Sequence, residues 1–152
     1  MAELATVTKT AIAIAAGRKV DPTAQNRSRF AVITTPATWS AANGDTFATG
    51  IVLAKGTRLI CDVVASFATG AASSTLSIGL RDANTKVAVD ATAIINALAI
   101  TTAATSQVNT GTKLVNGLDY VLPQDCEIFG TFGGATPQAN QAIRVEVPYI
   151  AP

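Results

Sequence analysis

Arg58-Leu59-Ile60-Cys61-Asp62-Val63-Val64-Ala65-Ser66-Phe67 places Leu59, Cys61, Val63, Ala65 and Phe67 at every second position. Arg58, Ile60, Asp62, Val64 and Ser66 fall between them. Successive side chains of an extended chain point to opposite faces, so this period of two gathers the first set on one side of a sheet. A helix would scatter the same residues around its circumference. The stretch therefore predicts a single strand with one buried face.

Outward from it, the same signal recurs between turn residues. Thr75-Leu76-Ser77-Ile78-Gly79-Leu80-Arg81 alternates polar and apolar, and with only the small-residue loop Thr69–Ser73 in between, Ser74–Arg81 is expected to form an antiparallel hairpin with Arg58–Phe67. Upstream, Thr46–Leu53 carries apolar Phe47, Ile51 and Leu53 around Gly50, a bulge candidate. Asn43-Gly44-Asp45 and Lys55-Gly56-Thr57 punctuate its two ends as turns. A first strand over Arg27–Thr34 stops at Thr35-Pro36, because proline cannot donate to a ladder. Downstream, Leu118–Leu122, Cys126–Phe132 and Ala142–Tyr149 read as strands; in the last, Ile143, Val145 and Val147 face one way and Arg144 and Glu146 the other. Asp90–Ala104 is the exception, since Asp90 could cap a helix with Ile94, Ile95 and Leu98 on one face; a short helix or a long loop is expected there. Seven or eight short strands at this spacing imply an all-β, antiparallel sandwich or barrel.

The domain is expected over residues 27–152, preceded by an extended N-terminal arm over 1–26. The arm lacks a sustained period: a brief alternation, Ala11-Ile12-Ala13-Ile14, gives way to polar Asp21-Pro22. Arg18, Lys19, Arg27 and Arg29 gather where arm and domain meet, with Asp21 the only acid among them. Such a group is either a solvated strand edge that resists stray pairing or a docking patch for an acidic protein surface.

Composition narrows the function classes. Charged residues are 14% of the chain, against about 25% in ordinary soluble domains. A surface so poor in charge is inclined to associate. The net charge of +1 provides no field to recruit nucleic acid, and no apolar run approaches the ~20 residues that cross a bilayer as a helix. No secretion signal is expected: Ala11–Gly17 is short, the first charge is Glu3, and Lys9 is the only basic residue before it. Asn26-Arg27-Ser28 fits a glycosylation acceptor, which matters only in a secreted protein.

Reactive groups are scarce. The chain has no histidine, so a Ser-His-Asp or Cys-His centre cannot form, and the commonest metal ligand is missing. Cys61 and Cys126 stand apart with no CxxC pair and read as two reduced, buried thiols, a disulfide staying open if their two strands face each other. Asp125 and Glu127, the one close carboxylate pair, read as a solvated strand edge. No Walker or GxGxxG pattern occurs, and Asn43-Gly44-Asp45 holds too few acids for a calcium loop. No enzymatic activity, catalytic residue, cofactor or metal is expected.

Leu53-Ala54-Lys55-Gly56-Thr57-Arg58-Leu59, Thr75-Leu76-Ser77-Ile78-Gly79, Ile128-Phe129-Gly130-Thr131-Phe132-Gly133-Gly134 and the ending Ile143-Arg144-Val145-Glu146-Val147-Pro148-Tyr149-Ile150 together resemble the decoration, or cement, proteins of tailed-bacteriophage capsids. The resemblance covers about two thirds of the chain and lies in a pattern of small residues and short strands, without a diagnostic motif. It implies a jelly-roll-like β-sandwich and self-association into dimers or trimers. It also implies attachment to the major capsid protein on the exterior of a virion made in the host cytoplasm. The competing reading is a β-sandwich carbohydrate- or receptor-binding module of a phage fibre or tail. That reading needs exposed aromatics, for which Trp39, Tyr120 and Tyr149 are the candidates.

Overall fold

Alternation becomes strand wherever one face finds a core. The computed structural model describes residues 28–152; the expected arm over 1–26, and with it Arg18, Lys19 and Arg27, lies outside the described residues. Ten strands make up the described residues: β1 Ser28–Thr34, β2 Thr46–Leu53, β3 Arg58–Leu59, β4 Val63–Phe67, β5 Thr75–Asp82, β6 Ala88–Ala99, β7 Ala104–Val108, β8 Tyr120–Val121, β9 Cys126–Gly133 and β10 Ile143–Ile150.

They form two antiparallel sheets. In the first, β1 lies on one edge of β10, while β4 and β3 share the other edge, backed by β7 and β8 respectively. The second runs β2, β9, β5, β6. If β3/β4 and β7/β8 each count as one position, the pairings nest: first with last, second with next to last, and so inward to β5 with β6. This is one long hairpin rolled into two layers, the jelly-roll-like sandwich that buries most strand edges without closing a barrel. Leu59, Val63, Ala65 and Val145 from the first sheet and Leu76, Ile78, Leu80 and Ile128 from the second are all buried in the core between the layers. Full burial of each larger side chain contributes about 1.5–3 kcal/mol.

Three expectations change. Arg58–Phe67 is two strands, not one, interrupted at Ile60–Asp62. Both pieces pair with β10, but the ladder breaks beside Pro148, which has no N–H to donate; Ile60 N donates to the Pro148 carbonyl at 3.0 Å and the chain turns tightly as Asp62 N reaches the Ile60 carbonyl at 2.8 Å. The hairpin expected between this stretch and Ser74–Arg81 does not form, because β4 and β5 lie in different sheets. The small-residue loop is instead a crossing, fastened by Gly70 N to the Thr101 carbonyl and Ile100 N to the Ser74 carbonyl, each at 3.1 Å.

Asp90–Ala104 is neither helix nor loop. It is most of β6 and the start of β7, with register shifts against β5 and a positive φ of 48° at Ala97. Asp90 does cap locally, accepting from Thr92 N at 2.9 Å, but the Ala93-Ile94-Ile95 run that follows is wholly buried. Segment 110–114 lies along it, with Thr112 N donating to the Thr92 carbonyl at 2.9 Å and Lys113 N to the Ala93 carbonyl at 3.0 Å. Tertiary partners for an apolar run on both sides outweigh a weak helical period.

Candidate protein-docking surface

The two outer faces of the sandwich differ. Glu127, expected on a solvated edge with Asp125, is instead buried on the outer face of the second sheet, at 3% exposure. It accepts from Arg81 Nε at 2.9 Å and Lys86 Nζ at 2.8 Å, and the Arg81 guanidinium lies 5.5 Å from the centre of the Phe129 ring. These two hydrogen bonds hold the Glu127 carboxyl down to about 2. Asp125 is exposed and spends one oxygen on Lys55 N at 2.7 Å, so the two carboxylates do not converge. Next to the cluster, the β6 excursion after Asp90 lies directly against Gly79. Around Gly79 and Glu127 this face is covered by its own chain, while Val52, paired opposite Glu127, stays 54% exposed. The Arg81 and Lys86 partners could have been suspected from the basic residues around the β5–β6 turn, but no local pattern marks them as facing Glu127.

Because Glu127 titrates lower in the folded chain than its ordinary 4.5, the cluster stabilises the protein fully above about pH 4.5 and loses that effect as pH falls toward 2. Glu127→Gln is expected to lower the unfolding free energy at pH 7 by about 1.5–3 kcal/mol, the range for a hydrogen bond to a charged group. Urea midpoints measured from pH 7 down to pH 2 should fall less steeply in the variant than in the wild type. Parallel curves would show that the cluster contributes nothing.

The first sheet presents an open outer face. Register aligns Val32, Glu146, Val64 and Gln107 in one row across it, and Thr34, Arg144, Ser66 and Thr105 in the next. The two charges in these rows neutralise each other, with Arg144 Nε donating to Glu146 Oε1 at 2.8 Å, and Arg58, outward on β3, is paired with Asp119. At the β1 side Phe30 and Val32 stand 57% and 40% exposed. A nearly neutral face with an aromatic at its rim is inexpensive to desolvate against another protein. Arg29, the one member of the predicted basic patch among the described residues, is exposed at the start of β1.

Between the edges of β1 and β2 the sandwich opens into a groove of about 500 Å³, reaching from Val32 and Thr35 to Phe47 and Phe132. Phe132 is its floor, with its ring centre 5.1 Å from both Trp39 and Phe47. Gly130 makes this possible, since a Cβ there would fall 2.0 Å from Phe47 Cζ. Trp39 is half-buried at the mouth, stacked on Phe132 at 13° and donating its indole N–H to the Gln141 carbonyl at 2.8 Å. It is a plug fastened on two sides, not the exposed platform that sugar binding would use. Tyr120 and Tyr149 are likewise half-buried, the former beneath Lys113. Cys61 and Cys126 are both free thiols; Cys126 is buried in β9 as expected, but Cys61 lies in the break between β3 and β4 and is only half-buried. Burial, then the charges of Asp82 and Asp125, push the Cys126 thiol above its ordinary value.

No protein-family model matches this sequence, and no curated protein matches it. Among solved structures, a chain of the cyanophage Pam1 capsid asymmetric unit is similar with a TM-score of 0.52 and 16% identity, over 83% of this chain and 86% of that one. A chain of the acid-stable capsid of Helicobacter pylori bacteriophage KHP30 aligns with a TM-score of 0.46 and 17% identity, over 80% of this chain and 86% of that one. At 16% identity the Pam1 likeness is one of fold: this protein shares its sandwich with a chain found in a phage capsid.

Proposed function

We propose that this protein is a structural, non-enzymatic virion protein that binds the outer surface of a phage capsid and stabilises contacts between major capsid subunits. The observation that carries the reading is the fold shared with a chain of the Pam1 capsid over most of both chains. The open face of the first sheet supports it, because a neutral surface can cover a subunit junction without stranding unpaired charges. The basic group of Arg18, Lys19, Arg27 and Arg29 would steer the protein toward an acidic rim, an effect on association rate that salt weakens.

Virions assembled without the protein are expected to release their genome at a lower temperature than complete ones. Adding the purified protein back should restore the difference, and the protein should sediment with the shells. Shells equally heat-resistant with and without it, or a protein that stays in the supernatant, would sink the proposal.

A further inference from the structure

An exposed strand edge offers unpaired N–H and C=O groups to any other chain, and folded proteins blunt such edges with bulges, short strands, charges or covering loops. Three of the four sheet edges here are blunted. β2 is kinked by the register shift between Ala48 and Val52, with Gly50 at a φ of 72°. The edge of β6 is covered by 110–114. The edge opposite β1 is broken into β7 and the two-residue β8, and β7 carries polar Thr105, Ser106 and Gln107. Among the described residues β1 has none of these devices. It runs seven residues in unbroken register with β10, contains no proline, and bears Arg29 as its single charge. Among the described residues it pairs with β10 alone.

We infer that the free edge of β1 is a self-association site, where the β1 of a second copy adds antiparallel across a two-fold axis at Ala31. Thr35 N donates to the Ile143 carbonyl in the same register that pairs β1 with β10. In an antiparallel ladder this turns the backbone groups of Ala31 and Ile33 toward β10, and those of Phe30, Val32 and Thr34 toward the open edge. The pairing that keeps the whole strand in register then sets Phe30 against the partner's Val32, and Val32 against the partner's Phe30, each pair exchanging two hydrogen bonds. The strand is self-complementary in this register. An aromatic meets a β-branched residue on the open face, a favourable cross-strand pair, and both lose the exposure they have in the single chain. The two Arg29 side chains stand four positions apart, roughly 13 Å at 3.3 Å per residue, beyond the ~8 Å screening length of physiological salt. Such an isologous contact closes on itself as a dimer and does not propagate into a fibre. It extends the first sheet, and with it the open face, across both copies.

The inference rests on strand chemistry and not on the capsid reading, so purified full-length protein with no shell present tests it alone. Sedimentation equilibrium is expected to give twice the chain mass of 15.5 kDa. Val32→Pro removes an N–H that points away from β10, and Phe30→Lys puts a charge in the pair; each should return the mass to that of one chain with an unchanged circular dichroism spectrum. Should either variant misfold, cysteine pairing decides the matter. Under oxidation, Phe30→Cys mixed with Val32→Cys should form a cross-linked dimer, because residues in a bonded pair lie about 5.5 Å apart at Cα, within disulfide reach. Either variant alone should not, since a diagonal pair is about 7–8 Å apart. A wild-type protein of single-chain mass at every concentration would overturn the inference, including one in which residues 1–27 of the same chain lie along this edge. So would a trimer, or mixed cysteines that stay unlinked.

Discussion

Gly79→Val is expected to lower the unfolding free energy by about 3 kcal/mol, the upper end of the ordinary effect of overpacking a filled site. A Cβ at Gly79 would lie 2.4 Å from the carbonyl carbon of Ala91 and 2.5 Å from the carbonyl oxygens of Ala91 and Asp90. These are backbone atoms of β6, which cannot swing aside as a side-chain tip would. The φ at Gly79 is not positive, so the effect comes from contact and not from backbone strain. Gly44 provides the contrast: its φ is +90° but nothing lies within 4 Å of its Cβ position, and Gly44→Ala should cost only about 1 kcal/mol through strain. Urea denaturation of the two variants beside wild type separates the causes. A Gly79→Val protein as stable as wild type would mean that β6 does not press on the outer face of β5.

Phe132→Ala should lose about 3–5 kcal/mol, the usual range for deleting a buried aromatic. Phe132 is 4% exposed and carries two ring contacts, Trp39 above it and Phe47 beside it. Its removal leaves the groove without a floor and the half-buried Trp39 without its stack. Trp39→Ala should cost less, since its ring already meets water on one side. Thermal melts of the two variants order them, and a larger loss for Trp39→Ala would reverse the assignment of floor and plug.

Much of the fold was legible because period two is a local property. The inward set Ile143, Val145 and Val147 and the outward Arg144 and Glu146 stand as their alternation predicts. So does Leu59 with Val63, Ala65 and Phe67, even though Pro148 breaks the strand between them. The bulge expected at Gly50 is present. The candidate docking surface was less legible. Phe30 and Val32 alternate with Ala31 and Ile33 as any half-buried strand would, and nothing in that heptapeptide says that, among the described residues, only one of its edges is paired.

The amino-acid sequence by itself determined the fold class, the strand faces, the absence of histidine chemistry and the weakly charged surface, since each follows from residue type or from spacing within a few positions. The tertiary structure alone decided which strands pair, that β4 and β5 part into different layers, that Ala93-Ile94-Ile95 is strand, and that Glu127 is buried between Arg81 and Lys86. Those outcomes depend on contacts between residues distant in the chain. A side chain or strand edge is satisfied there by whatever the rolled hairpin brings beside it, and no local period encodes that neighbour.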